Sequence, residues 1–182
     1  MTFPGANDSF YVQWHILDRC NLRCRHCYQD DFSNSREPGW PLLKRAADNL
    51  LETMKTWGMT LDAAITGGEP FLKPELQQLL RYLDRSGFAG DLSIITNGTL
   101  WPQDVSPFIE LSRLREIRVS LDGISPVTND RIRGDGVLEK VKTNIARWRN
   151  LGMPVVLMFT VMKQNRHEVP GLIEFGKSLD LQ

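Results

Sequence analysis

Two hydrophobic periods alternate along this chain, and the alternation constrains the fold more than any single residue does. Strand-like runs at 11–17, 61–66, 92–96, 116–121 and 155–161 are separated by stretches with helical spacing. Over 42–57 the apolar positions are Leu42, Leu43, Ala46, Ala47, Leu50, Leu51, Met54 and Trp57, with Gly58 as the stop. Pro74 suits the first turn of a second helix, whose buried face is Leu76, Leu79, Leu80 and Leu83 and whose end is Gly87. A weaker helix falls at about 104–112, and Val137, Leu138, Val141, Ile145, Trp148 and Leu151 form a stripe ending at Gly152. A last helix starts near Glu168 and runs to Gln182. Five β-then-α units at this spacing predict an α/β fold with a parallel sheet and right-handed crossovers. Five units do not close an eight-stranded barrel, so the sheet is expected to be open or partial. The run at 155–161 is almost continuously apolar, which predicts a strand buried on both faces. No linker or repeat divides the 182 residues, so 1–182 reads as one domain, with a tail at about 1–10 and a C-terminal end that stops short of a further unit.

In parallel α/β folds, ligands gather at the carboxyl ends of strands. Four of the five strands run directly into unusual segments. Strand one leads into Cys20, Cys24 and Cys27, strand two into Gly67-Gly68-Glu69-Pro70, strand three into Asn97-Gly98-Thr99 and strand four into Asp122-Gly123. All four are expected on one rim of the sheet.

The chain has three cysteines, an odd number that cannot all pair within it, and all lie between Cys20 and Cys27. In a reducing compartment such clustering favours metal ligation or redox chemistry over a disulfide. C-x3-C-x2-C places three thiolates on one short loop. Closed iron–sulfur clusters and structural zinc usually take four protein ligands. Three ligands suit a cluster that keeps one iron open for substrate or cofactor. Zinc held by the cysteines with His15 or His167, or inert thiols, are the blander readings. His26 is a poor fourth ligand because it adjoins Cys27.

The other segments are ambiguous taken singly. Gly67 and Gly68 permit positive φ and close backbone approach, and Glu69 offers an acceptor to an ammonium group. The same residues also make an ordinary strand-to-helix turn. Thr96-Asn97-Gly98 is a tight turn or an amide near ribose hydroxyls. Ser120 and Asp122 share that ambiguity. Arg133 can grip a carboxylate with its fork or be one more solvated arginine. Asn165 can bind a base edge or cap the last helix.

Charge and targeting signals exclude some partners. Lys+Arg 22 balances Asp+Glu 22, so no basic field draws the chain to nucleic acid or anionic lipid. The first residues have no basic region followed by an apolar stretch. The longest apolar run, 153–162, is well short of the ~20 residues of a spanning helix. A cytoplasmic chain with no membrane or nucleic-acid partner is expected.

Taken together, Cys20-x3-Cys24-x2-Cys27, Gly67-Gly68-Glu69-Pro70, Thr96-Asn97-Gly98 and Ser120-Leu121-Asp122-Gly123 resemble the radical S-adenosylmethionine (SAM) superfamily, over about residues 11–182. The resemblance implies a partial (β/α)6 TIM-like barrel, of which about five β/α units are present. It implies that Cys20, Cys24 and Cys27 hold three irons of a 4Fe–4S cluster whose fourth iron is chelated by SAM. It further implies that Gly67, Gly68 and Glu69 receive the SAM ammonium, that Asn97 and Ser120 line the ribose, and that Arg133 faces the carboxylate. His26 stands where the family often stacks an aromatic residue on the adenine, and Thr160 and Asn165 fall on the adenine side. The implied reaction is reductive cleavage of SAM to a 5′-deoxyadenosyl radical that abstracts a substrate hydrogen. The implied electron source is a flavodoxin- or ferredoxin-like donor. The segment from Trp14 to Tyr28 looks like enzymes with a C-terminal SPASM or twitch region, which include peptide maturases, sulfatase-maturing enzymes and haem-modifying relatives. A peptide or protein substrate is therefore expected. The competing expectation is a truncated, non-catalytic module that keeps the cluster and SAM but engages a partner protein.

Overall fold

A computed structural model describes residues 8–35 and 37–179. Strands β1 (Ser9–His15), β2 (Thr60–Thr66), β3 (Ala89–Thr96), β4 (Leu114–Ser120) and β5 (Val155–Met158) form one sheet. All neighbours are parallel and the spatial order is β1-β2-β3-β4-β5. Because strand order never reverses, right-handed crossovers place every connecting helix on one face. That is the winding of a barrel wall, not of a doubly wound sheet.

The two faces differ accordingly. Leu61, Ala63, Ile65, Leu92, Ile94, Ile117 and Val119 are buried on the helix side. On the other face β1 presents Tyr11, Gln13 and His15 to solvent. The Tyr11 hydroxyl accepts a bond from Arg118 Nη1 of β4 at 3.1 Å. This bond crosses β2 and β3 on the face opposite the helices.

The helices follow the expected stripes with three departures. α1 (Trp40–Trp57) buries Leu43, Ala47 and Met54, and ends on left-handed Gly58 at φ 67°. α2 (Leu76–Asp84) buries the four expected leucines, but it ends at Arg85, before Gly87. The weak helix reduces to one turn, α3 (Ser106–Ile109). α4 (Pro126–Arg133) has no counterpart in the periodicity: its residues are mostly polar, and it buries Asn129, Ile132 and Arg133. α5 (Val137–Asn150) buries Val137, Leu138, Val141, Ile145 and Trp148. α6 (Val169–Ser178) ends the described chain. That helix ends at Ser178 with Leu179 as its cap, short of the expected run to Gln182, and 180–182 and most of the tail at 1–10 lie outside the described residues.

β5 corrects an expectation. It spans four residues, not 155–161, and it is an edge strand with Met158 39% and Val161 65% exposed. Among the described residues Val155 of this strand is buried, while Val156 and Leu157 are only partly buried. β1 likewise ends at His15, although Ile16 and Leu17 stay buried beyond it. Among the described residues no helix is long and apolar enough to cross a membrane.

Aromatic packing braces the carboxyl end of the sheet. Trp148 of α5 stacks near Phe71 at 6.0 Å, and Phe108 and Trp101 close around it at 6.0 and 4.7 Å. Phe71 belongs to the one-turn 3-10 segment Pro70–Leu72 that follows β2, so the core holds that turn from below.

Candidate active site

The β1–β2 pairing continues past both strands and carries the cysteine loop. Ile16 N donates to Thr66 O at 3.0 Å, Gly68 N to Leu17 O at 2.9 Å and Glu69 N to Arg19 O at 2.8 Å. A methyl group on Gly67 would lie 2.3 Å from Leu17 O, and one on Gly68 2.0 Å from Arg19 O. Gly67 also has φ 137°. The close approach expected at these glycines is therefore made by the chain's own backbone.

The three cysteines are free. Cys20 and Cys24 are half-buried and Cys27 is exposed. A turn closed by Cys27 N donating to Cys24 O at 3.0 Å brings the last two together. Cys20 Sγ accepts from Leu22 N at 3.4 Å and from Asn97 Nδ2 at 3.7 Å. Burial pushes the thiols of Cys20 and Cys24 up, with Arg133 opposing at Cys24. Ligation by a metal must therefore displace protons. The donors fit an iron–sulfur cluster: three soft sulfurs on one loop, all facing one cavity of 340 Å³. Among the described residues no three His, Cys, Asp or Glu side chains converge on a point suited to a single metal ion.

That cavity is also walled by His26, Gly67, Gly68, Asn97, Ser120, Arg133 and Thr160, so the structure brings together the ends of strands one to five. Thr96 of the Thr96-Asn97-Gly98 segment joins them, as do Gln13 and Thr66, which nothing local in the sequence singled out. Two expected site residues stand behind the wall. Glu69 is fully buried, accepting from Thr96 Oγ1 at 2.8 Å, Asn97 N at 2.8 Å and Phe71 N at 3.1 Å. Asn165 is fully buried too: its amide donates to Asp122 O and Thr160 O and accepts from Met162 N. It brackets the loop after β5 and does not line the cavity.

Burial raises Glu69 to about 7 despite its three donors. A carboxyl that is harder to ionise in the fold than in the unfolded chain favours the fold at low pH. Stability of the metal-free chain should fall as pH rises from about 4.5 to about 7, by about 3 kcal/mol for this group. Urea unfolding at several pH values checks it: Glu69→Gln should lose that slope, and an unchanged slope would refute the assignment.

Asp122 is the polar centre of the far wall. It is fully buried, and Oδ1 accepts from Thr160 N at 3.0 Å. Oδ2 lies 2.7 Å from Arg133 Nε and 3.4 Å from His26 Nε2. The Arg133 contact is an ion pair out of line with hydrogen-bond geometry. Asp122 N donates to Asn129 Oδ1 at 3.0 Å, tying α4 to the end of β4. Arg133 is thus 7% exposed and paired, not a solvated arginine. Burial holds the His26 imidazole below its ordinary value against the attraction of Asp122, leaving a neutral ring at pH 7. Asn97 makes the expected turn and also reaches the cavity wall. It lines the cavity, yet its amide already bonds Asn21 Oδ1 and Thr99 N in the turn made by Gly98 at φ 73°.

A family model described as the Radical SAM superfamily matches residues 14–176. The chain is 30% identical over 168 residues to Fe-coproporphyrin III synthase of Methanosarcina barkeri (strain Fusaro / DSM 804), covering 90% of this chain and 40% of that protein. It is 28% identical over 185 residues to GTP 3',8-cyclase of Nitrobacter hamburgensis, covering 100% of this chain and 53% of the relative. Streptococcus suis SuiB bound to precursor peptide SuiA shares the fold with a TM-score of 0.79 at 16% identity, over 96% of this chain and 38% of SuiB. The chain thus spans about half the length of the curated relatives it matches.

Proposed function

This chain belongs to the radical SAM superfamily, and from that premise we propose that it forms the catalytic core of an enzyme that abstracts a hydrogen atom from a peptide or protein, in the manner of SPASM- or twitch-type enzymes. The superfamily's cofactors are a 4Fe–4S cluster and SAM, and in this reading Cys20, Cys24 and Cys27 hold the cluster. When bound, these cofactors supply a reductively generated 5′-deoxyadenosyl radical. The chain's own residues do the positioning. Gly67 and Gly68 offer bare backbone to the ammonium end of SAM, while the buried Glu69 carboxylate sets the rim beneath them. Arg133, held on one side by Asp122, is the cation for the SAM carboxylate. The neutral His26 ring is suited to lie against a base, with Ser120, Thr160 and Asn97 on the remaining walls.

The observation that carries the reading is the meeting of all three cysteines with the ends of strands two to four in one cavity. For the substrate, the cysteine segment from Trp14 to Tyr28 supports a peptide, and the open face opposite the helices gives an extended chain room to enter. A small anionic substrate is the second reading, favoured by the similarity to Fe-coproporphyrin III synthase and GTP 3',8-cyclase. A low-potential flavodoxin or ferredoxin would deliver the electron, and the cytoplasm would be the setting.

Anaerobically reconstituted protein should bind about four irons per chain. SAM should perturb the electron paramagnetic resonance (EPR) signal, and dithionite should release 5′-deoxyadenosine. A well-formed cluster indifferent to SAM would overturn the proposal. Turnover with peptides and none with GTP would favour the first reading; the reverse would favour the second.

A further inference from the structure

The cysteine loop has only turns between Arg19 and Glu37 among the described residues, so its own hydrogen bonds do little to fix it. Its two ends are fastened to each other instead. Arg19 Nε donates to Glu37 Oε2 at 2.6 Å and Nη2 to Oε1 at 3.0 Å, a bidentate pair. The same Nη2 donates to Leu72 O at 3.1 Å. Lys73 Nζ donates to Glu37 Oε1 at 2.9 Å and lies 3.2 Å from Glu75 Oε2. Two cations and two anions leave the group neutral. The side chains of Lys73 and Glu37 are 3% and 9% exposed, so solvent screens these pairs less than surface pairs. None of the four lines the cavity. Arg19, however, adjoins Cys20, and its carbonyl accepts from Glu69 N.

We infer that Glu37 is a positioning residue: its carboxylate fastens both ends of the cysteine loop to the segment after Gly67-Gly68-Glu69-Pro70 and so sets where Cys20 stands against Gly68. The fastening is a property of the metal-free chain. Its consequence for cluster binding rests on the function proposed above.

Hydrogen exchange on metal-free wild type, Glu37→Gln and Arg19→Gln tests it. Amides of 20–35 should exchange on the order of tenfold to a hundredfold faster in both variants, with those of β2, β3 and β4 unchanged. Arg19→Gln leaves the Lys73–Glu37 pair intact, so it carries the test should Glu37→Gln fail to fold. On reconstituted protein, a chelator should strip iron about tenfold faster from the variants, and the EPR change on adding SAM should broaden. Unaltered loop exchange, or acceleration spread evenly over the sheet, would overturn the inference. Wild-type protein that takes up no iron would refute the proposed function instead, while the exchange data would still decide the role of Glu37.

Discussion

Gly68→Ala should leave the cysteine loop unable to retain iron. The added methyl would lie 2.0 Å from Arg19 O, 2.5 Å from Arg19 C and 2.6 Å from Asp18 O. All three are backbone atoms, so no side chain can rotate away. Either the loop lifts off β2 or the turn after β2 drops, and both break the Glu69 N to Arg19 O bond. Overpacking of this kind costs about 1–3 kcal/mol, occasionally more, and here the strain falls one residue before Cys20. Gly87 is the control, since nothing lies within 4 Å of a methyl there. Iron and sulfide per chain after reconstitution, read beside thermal unfolding, should fall severely for Gly68→Ala and stay at wild-type levels for Gly87→Ala. Full iron loading of Gly68→Ala would count against the seating described for the loop.

The second large effect is expected at Asp122. Its carboxylate is fully buried, holds Thr160 N and balances Arg133, itself 7% exposed. Asp122→Ala strands a buried guanidinium and a backbone donor together. Breaking such a pair costs about 3–5 kcal/mol. Against a total of about 5–15 kcal/mol, that is a large share. At about 2–4 °C per kcal/mol for a chain of this size, Tm of the metal-free protein should drop by about 6–20 °C. Asp122→Asn keeps an acceptor for Thr160 N and should lose less. Adding Arg133→Met to Asp122→Ala should recover part of the loss, because the unpaired charge goes with it. Equal Tm for wild type and Asp122→Ala, by calorimetry, would show that Arg133 finds its counter-charge elsewhere.

What the sequence made legible was local. Helical stripes such as Leu76, Leu79, Leu80 and Leu83 report one buried face directly, and they appear as read. The rim segments were legible because strand ends in a parallel sheet must share an edge. α4 was invisible because its packing is polar: Asn129 and Arg133 serve Asp122, and no apolar period marks them. The Arg19, Glu37 and Lys73 group joins three separate stretches, so no window of sequence contains it. Glu69 and Asn165 carried the right residue type for a ligand contact, but their side chains serve backbone donors and acceptors of neighbouring strand ends. Whether a polar group faces a cavity or braces its wall depends on what folds over it. β5 misled for a related reason: an apolar run does not tell how many of its residues pair or what covers each face.

The order of the strands has a consequence for assembly. Each strand pairs only with its neighbours along the chain, so the entropy of bringing each pair together rises with the length of the connection between them. The longest of the four connections runs from His15 to Thr60, and it contains all three cysteines. The stretch proposed to hold the cluster is thus the one whose closure costs the unfolded chain the most freedom.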